Sequence, residues 1–289
     1  MVEKLGRSLN PLTLKNDARL SKAARLENLR LSRSPGLSGI STTLRTSDDQ
    51  INQKLLQQAT WRRELCEELK YWRMWFETQG DEWPDDYEKR LNGASEFEPN
   101  LRKYIELAPS EEISFLDVGS GPVTGVGFVW PGRKLRITAV DPLAHFYNQI
   151  MDEFKIEPPV RSQCCPAELL LTKFPFERFD LVHCRNALDH AYDPFAAIKQ
   201  MLAVTKDGGA IVLDHYANEA LHHSYTGLHQ WNFDIQDNRF VLWNRHKRID
   251  VGQGLCEAFG FPVQVECHAR QQGRKWVLAI IRRESGSNI

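Results

Sequence analysis

Along the chain, apolar runs of five to seven residues alternate with longer amphipathic stretches, and this alternation fixes the first expectations. Residues 113–118, 136–141, 160–164, 179–184 and 209–215 read as strands, with helices between them at 142–154 and 194–205. Short buried strands separated by helices predict a parallel sheet covered on both faces. After 215 the rhythm breaks. Trp231–Asp234 and Phe240–Trp243 flank Asp237-Asn238 as a hairpin, followed by a short helix at 250–259. Val263–Cys267 and Lys275–Ile281 then form a final strand pair around a Gln-Gln-Gly turn.

Upstream of the sheet the period is helical. Ser47-Asp48-Asp49-Gln50 can cap a helix that places Leu55, Leu56, Trp61, Leu65, Leu69, Trp72, Trp75 and Phe76 at mostly three- and four-residue steps. Asp81–Asp86 interrupts it, and a second helix is expected from Asp85 to about Leu107. The tryptophan stripe has two readings, a packing face against the sheet domain or a lid over a substrate. Residues 1–45 are basic, with Lys4, Arg7, Lys15, Arg19, Lys22, Arg25, Arg30 and Arg33, and lack sustained periodicity. A solvated disordered tail is expected there, with a weak helix near 13–31 or a basic partner-binding arm as the alternatives.

Composition narrows the class. The 289 residues carry a net charge of −1 and 42% hydrophobic residues, so no global field points to nucleic acid or a membrane surface. No apolar run approaches the roughly 20 residues of a membrane span, and no secretory h-region opens the chain. Cys66, Cys164, Cys165, Cys184, Cys256 and Cys267 follow no zinc spacing. A cytoplasmic protein with reduced thiols is expected, with Cys164-Cys165 serving packing at a strand edge rather than redox chemistry.

Chemistry concentrates where the first two strands end. Ile113-Ser-Phe-Leu-Asp-Val-Gly-Ser-Gly-Pro122 closes one apolar run on a carboxylate and two glycines. Arg136-Ile-Thr-Ala-Val-Asp141 closes the next on a second carboxylate, 24 residues after Asp117. The glycines permit a sharp turn and close approach of a ligand, while Asp141 can accept hydrogen bonds from both hydroxyls of a ribose. A dinucleotide would bring a pyrophosphate beside Asp117, which would repel it. Thr124 also stands where the dinucleotide motif needs its third glycine. A cationic adenosine cofactor, S-adenosylmethionine (SAM), satisfies both constraints.

Asp117–Gly121, Ala139-Val-Asp141, Ala167-Glu168, Phe179–His190 and Gly208–Asp214 resemble, in order, the motifs of class I SAM-dependent methyltransferases, and the resemblance covers about 109–289 with a type 11-like core. It implies a Rossmann-like α/β fold: a seven-stranded, mostly parallel sheet with one antiparallel strand. To this core the chain adds a helical N-terminal extension at 46–108 and an insertion at about 216–248. It further implies a cofactor site of Asp117, Gly119, Ser120, Gly121, Asp141, Pro142, Ala167, Glu168, Arg185 and Asn186. Two departures stand out: Pro122-Val123 replaces the family's third glycine, and Pro166 replaces an acidic residue before Ala167.

In open α/β sheets the ligand lies beyond the strand carboxyl ends, so the acceptor is expected at the loops after Cys184 and Leu213. His215 and His190 are the leading bases, oriented by Asp189 or Asp214, and His229 extends the cluster with Gln230, Trp231 and Asn232. The alternatives are His190 packed under the adenine and an insertion whose histidines are incidental. Asp189, Asp214 and His215 are conceivable ligands for a divalent cation, but no fixed metal motif is present and no metal is expected. The expected activity is O-methylation of a small molecule or glycan precursor (a 2.1.1-type transferase). The alternatives are N-methylation of a small molecule or peptide and a non-catalytic SAM-fold sensor or scaffold.

Overall fold

The computed structural model describes residues 61–106, 108, 111–176, 178–272 and 274–283; the expected tail at 1–45 and the Ser47 cap lie outside them. The chain begins, within this range, in helix α1 (61–77). Helix α2 (Pro84–Leu91) follows, its Pro84 occupying a first-turn position where no amide bond is lost. The long helix expected to reach Leu107 stops here. Asn92 turns extended, and Pro99 restricts the residue before it, so 92–98 runs as open chain before the short helix α3 (Pro99–Arg102).

Strands β1 (Glu112–Val118), β2 (Lys134–Asp141), β3 (Gln163–Cys164), β4 (Phe179–Arg185) and β5 (Thr205–Tyr216) form the parallel part of the sheet. Pro158-Pro159 precedes β3, which shrinks to two residues of the five expected. Between β2 and β3 lies helix α4 (Ala144–Glu153), and a 3₁₀ turn leads into helix α5 (Leu170–Lys173) before β4. Helix α6 (Pro194–Val204) connects β4 to β5, its N-terminus capped by the Asp193 carboxylate, which accepts from the Ala196 amide.

The insertion starts with a single helical turn, α7 (Glu219–His222). It continues as a separate antiparallel sheet of β6 (Asn232–Gln236), β7 (Arg239–Trp243) and β8 (Arg248–Asp250). Asp237 and Asn238 take φ of 50° and 59°, which makes the β6–β7 connection the tight hairpin read from the sequence. Helix α8 (Val251–Phe259) precedes β9 (Gln264–Gln272) and β10 (Arg274–Arg282).

The main sheet runs β3-β2-β1-β4-β5-β10-β9, with β10 antiparallel to both its neighbours. The expected seven-stranded, mostly parallel sheet with one antiparallel strand is therefore the architecture observed. One face packs Phe233, Phe240, Leu242, Val251 and Leu255 from the insertion and α8, together with the buried face of α6. The other packs Phe97, Leu101 and Ile105 on Ile113, Phe115 and Val212. No helix among the described residues is long and apolar enough to cross a membrane.

The aromatic stripe of α1 forms a third cluster. Trp75 and Phe76 are buried with Val123, Ile150 and Met151, so α1 lies over α4 and the loop that leaves β1. Trp75 contacts Trp72, Phe76 and Tyr87 edge-on or tilted. Trp75→Ala should cost about 3–5 kcal/mol of unfolding free energy, because a fully buried aromatic leaves a cavity its rigid neighbours cannot close. Urea denaturation of the full chain would measure it, and a loss below about 1 kcal/mol would show that α1 is not docked as described.

Candidate active site

The site is built on a backbone approach that only glycine allows. Gly119 and Gly121 adopt φ of 68° and 64°, and a Cβ on Gly119 would lie 2.5 Å from the Cβ of Ala187 in the loop after β4. A Cβ on Gly121 would lie 2.8 Å from the Trp72 indole of α1. The turn is thus pressed between the β4 loop on one side and α1 on the other. Beyond it, residues 119–133 hold no helix, so no helix N-terminus stands there to receive a pyrophosphate.

Asp117 acts from inside this turn. Its two oxygens are taken by the Thr124 hydroxyl at 2.5 Å and by His183 Nδ1 at 2.9 Å, and the carboxylate is buried. It therefore clamps the loop that the sequence expected it to serve directly through charge. Ser120 and Ser162 hydroxyls pair at 2.8 Å, and Ser162 donates to the Gly121 carbonyl.

Asp141 sits at the tip of β2, adjacent to Pro142, and accepts from the amides of Gly121 at 3.1 Å and Leu143 at 2.9 Å. Burial pushes its carboxyl up to about 7 against those hydrogen bonds, with Glu68 of α1 adding repulsion. Glu68 itself accepts from the Trp72 indole at 2.9 Å, and Trp72 meets Tyr147 edge-on. The floor and rim of this corner are carboxylates with no Cβ at the turn, which fits a cationic adenosine cofactor and opposes an anionic one. Glu68 carries no site signal in the sequence beyond a glutamate that breaks an apolar helical stripe, whereas Trp72 belongs to the stripe read as a packing face or a lid.

Other expected cofactor residues take different places. Glu168, next to Ala167, is buried and accepts from the Asp193 amide, and burial lifts its carboxyl to about 7. It ties the β3 side of the sheet to the start of α6. Asn186, at φ 48°, accepts from the Tyr216 amide and holds the β4 and β5 loops together. Arg185 is exposed, with its guanidinium over the Trp276 ring near Asp214.

Past Ala187, the β4 loop closes in a 3₁₀ turn, Leu188–His190, that presents a chain of polar groups. The His229 ring meets Asp189 at 2.6 Å through Nδ1, and His190 Nε2 lies 3.2 Å from the same nitrogen. Burial would raise the Asp189 carboxyl, but His190 beside it and the hydrogen bond and charge of His229 hold it down at about 2. Burial likewise resists charging of His229, yet Asp189 overcomes this and leaves its pKa above the ordinary histidine value. His223 stacks on His229 with ring centres 3.8 Å apart and contacts Glu219, which also binds Arg274. Trp61 of α1 donates to the His190 carbonyl at 2.8 Å. Glu219 was missed in the sequence, where its only signal is the i, i+4 spacing to His223.

His215 stands apart from this chain. It is 1% exposed, stacks on Phe233, and neither ring nitrogen has a hydrogen-bond partner. Burial drives its pKa down to about 4, so it is neutral at physiological pH.

Residues 116–213 match the family model described as a methyltransferase domain, a span from β1 to β5 that contains the motifs from Asp117 onward. No curated protein matches the chain. Among solved structures, an S-adenosylmethionine-dependent methyltransferase from Clostridium acetobutylicum is 13% identical, with a TM-score of 0.43 over 75% of this chain and 98% of that one. An O-methyltransferase family protein from Burkholderia thailandensis is 17% identical, with a TM-score of 0.43 over 72% and 61%. The N-terminal domain of EvdMO1, solved with S-adenosylhomocysteine and D-fucose, is 17% identical, with a TM-score of 0.39 over 64% and 81%.

The buried neutral His215 makes a prediction about acid stability. Its folded pKa of about 4 lies below the ordinary histidine value of 6.5, so between these pH values the unfolded chain binds a proton that the folded chain refuses. Stability contributed at this position is present above 6.5 and is lost as pH falls toward 4. His215→Phe keeps the stack on Phe233 and removes the titration. Between pH 7.5 and 5 the variant should lose about 2 kcal/mol less stability than the parent chain. Urea midpoints at the two pH values would show it, and parallel losses would mean that His215 is solvated.

Proposed function

We propose that this chain, whose residues 116–213 match the methyltransferase domain, is an S-adenosylmethionine-dependent methyltransferase that acts on a hydroxyl of a small molecule or glycan precursor. The observation that carries the reading is the β4 loop. It packs Ala187 on the glycine turn at Gly119 and, two residues later, supplies Asp189 to a histidine chain. Cofactor support and an acid–base group therefore belong to one short, rigid segment.

S-adenosylmethionine brings its methyl on a sulfonium, already activated for in-line displacement. What the chain must add is alignment, exclusion of water and a place for the acceptor's proton. Asp141 offers lone pairs to the ribose hydroxyls while its amide partners fix the turn. Glu68 brings a second carboxylate to the Asp141 corner, which suits a cationic ligand, and Trp72 and Trp61 make α1 a cover across both halves of the site. His229 takes the proton of the acceptor hydroxyl, and buried Asp189 holds its ring and stabilises the imidazolium. His190 shares the same proton network. His215, buried and neutral, is assigned to packing beneath it rather than to proton transfer. A hydroxyl acceptor is favoured over an amine because a neutral amine needs no such base.

Two measurements test this. His229→Ala and Asp189→Asn should each lower turnover by roughly 10²–10⁴ while leaving the affinity for S-adenosylhomocysteine within about threefold. Acceptor screening with isotopically labelled methyl and product mass spectrometry reads the turnover. Wild-type rates in both variants would remove the base from this pair, and label on nitrogen would remove the hydroxyl. Cofactor affinity should also titrate with Asp141. Its carboxyl ionises near 7, and only the ionised form offers all its lone pairs to the ribose, so S-adenosylhomocysteine should bind about tenfold more weakly at pH 6 than at pH 8. In Asp141→Asn the binding should be weaker and flat across that range, as calorimetry would show; an unchanged slope would place the ribose elsewhere.

A further inference from the structure

Three atoms that carry lone pairs converge beside the β4 loop. His229 Nδ1 and Asp189 Oδ2 are 2.6 Å apart, His190 Nε2 and His229 Nδ1 3.2 Å, and His190 Nε2 and Asp189 Oδ2 3.5 Å. Ligand atoms about 2.1 Å from a divalent ion stand about 3.0 Å apart in octahedral geometry and about 3.4 Å apart in tetrahedral geometry. Two edges have that size, and the third, closed by the His229–Asp189 hydrogen bond, falls about 0.4 Å short of the octahedral spacing, so an ion that displaced the Nδ1 proton would spread the pair only slightly. One Nδ1–H bond from His229 to Asp189 satisfies only one edge and leaves His190 Nε2 facing a nitrogen that is already committed. A second, independent sign is that Asp189 is 1% exposed, and its other oxygen, Oδ1, has no hydrogen-bond partner. A buried carboxylate oxygen left unpaired is costly, and a cation or its bound water would satisfy it.

We propose that Asp189, His190 and His229 form a site for a first-row divalent cation, with two imidazoles and one carboxylate as ligands and the remaining positions open. Two nitrogens and one carboxylate suit zinc, cobalt or iron(II) better than magnesium, which prefers oxygen alone. Glu219, His223 and His229 make a neighbouring triangle. It is the weaker candidate, because Arg274 already binds Glu219 and would repel a cation. The histidines cannot hold a proton and the ion with the same nitrogens, so cation and imidazole base are alternative states of one cluster. The proposal concerns binding alone and depends on no step of methyl transfer.

The test uses the full chain, freed of metal with a chelator, without cofactor or acceptor. Calorimetric titration with Zn(II) should give one saturable site per chain, weakened more than about tenfold by His190→Ala and by His229→Ala, and unchanged by His222→Ala or His246→Ala, which alter exposed histidines. Asp189 is too buried to serve as the main variant. If His229→Ala does not fold by circular dichroism, the partly exposed His190 carries the test. Co(II) titration adds a spectroscopic readout. Visible d–d bands without sulfur charge-transfer absorption support the nitrogen and oxygen set, whereas charge-transfer bands would assign the ion to exposed Cys66 or Cys164 and overturn the site. Absence of saturable binding, or binding that survives both ligand variants, would overturn it as well. Methyl transfer by a chain that binds no metal would leave the methyltransferase reading standing.

Discussion

The carboxyl end of the parallel sheet depends on one close approach, between the backbone at Gly119 and the side chain of Ala187. Because no Cβ separates them, the turn after β1 and the loop after β4 share a surface, and whatever one holds is within reach of the other. Residues two and three positions beyond Ala187 then supply Asp189 and His190. A larger residue at 119 would move the β4 loop and, with it, the whole polar chain. Glu168 reinforces the arrangement from the far side by accepting from the Asp193 amide, and Asn186 ties the same loop to β5.

Three buried carboxylates at this end of the sheet titrate in opposite directions, and their partners decide which way. Asp141 and Glu168 are held by backbone amides, whose partial charges do not offset lost hydration, and both rise to about 7. Asp189 is as deeply buried, but His190 and His229 lie against it and it falls to about 2. Backbone amides leave a buried carboxylate poised near neutrality, whereas imidazole partners keep it ionised.

Helix α1 joins the two regions. Its buried face, Trp75 and Phe76, belongs to the hydrophobic core over α4, whereas Trp72, Glu68 and Trp61 face the turn, the Asp141 corner and the His190 carbonyl. Trp72 packs on Trp75 and on the Gly121 turn at once, since positions three or four apart share a face of the helix.

Local periodicity and glycine and proline punctuation, which act over a few residues, suffice to read the strands, the parallel core and the closing strand pair from the sequence. The seven-stranded count and the antiparallel strand rest instead on the resemblance to the methyltransferase motifs. The sequence also located the carboxylates at the ends of β1 and β2, because strand ends can be read wherever an apolar run stops. What it could not supply was which side chains meet across the chain. Asp117, read from the sequence for its charge toward a cation, is also held by Thr124 and His183, contacts made across 7 and 66 residues. His215 and His229 looked alike as polar groups near a strand end. One was buried against Phe233 and kept neutral, the other was paired with Asp189 and made more basic. Protonation depends on burial and on partners distant in sequence, and only the packed structure sets those.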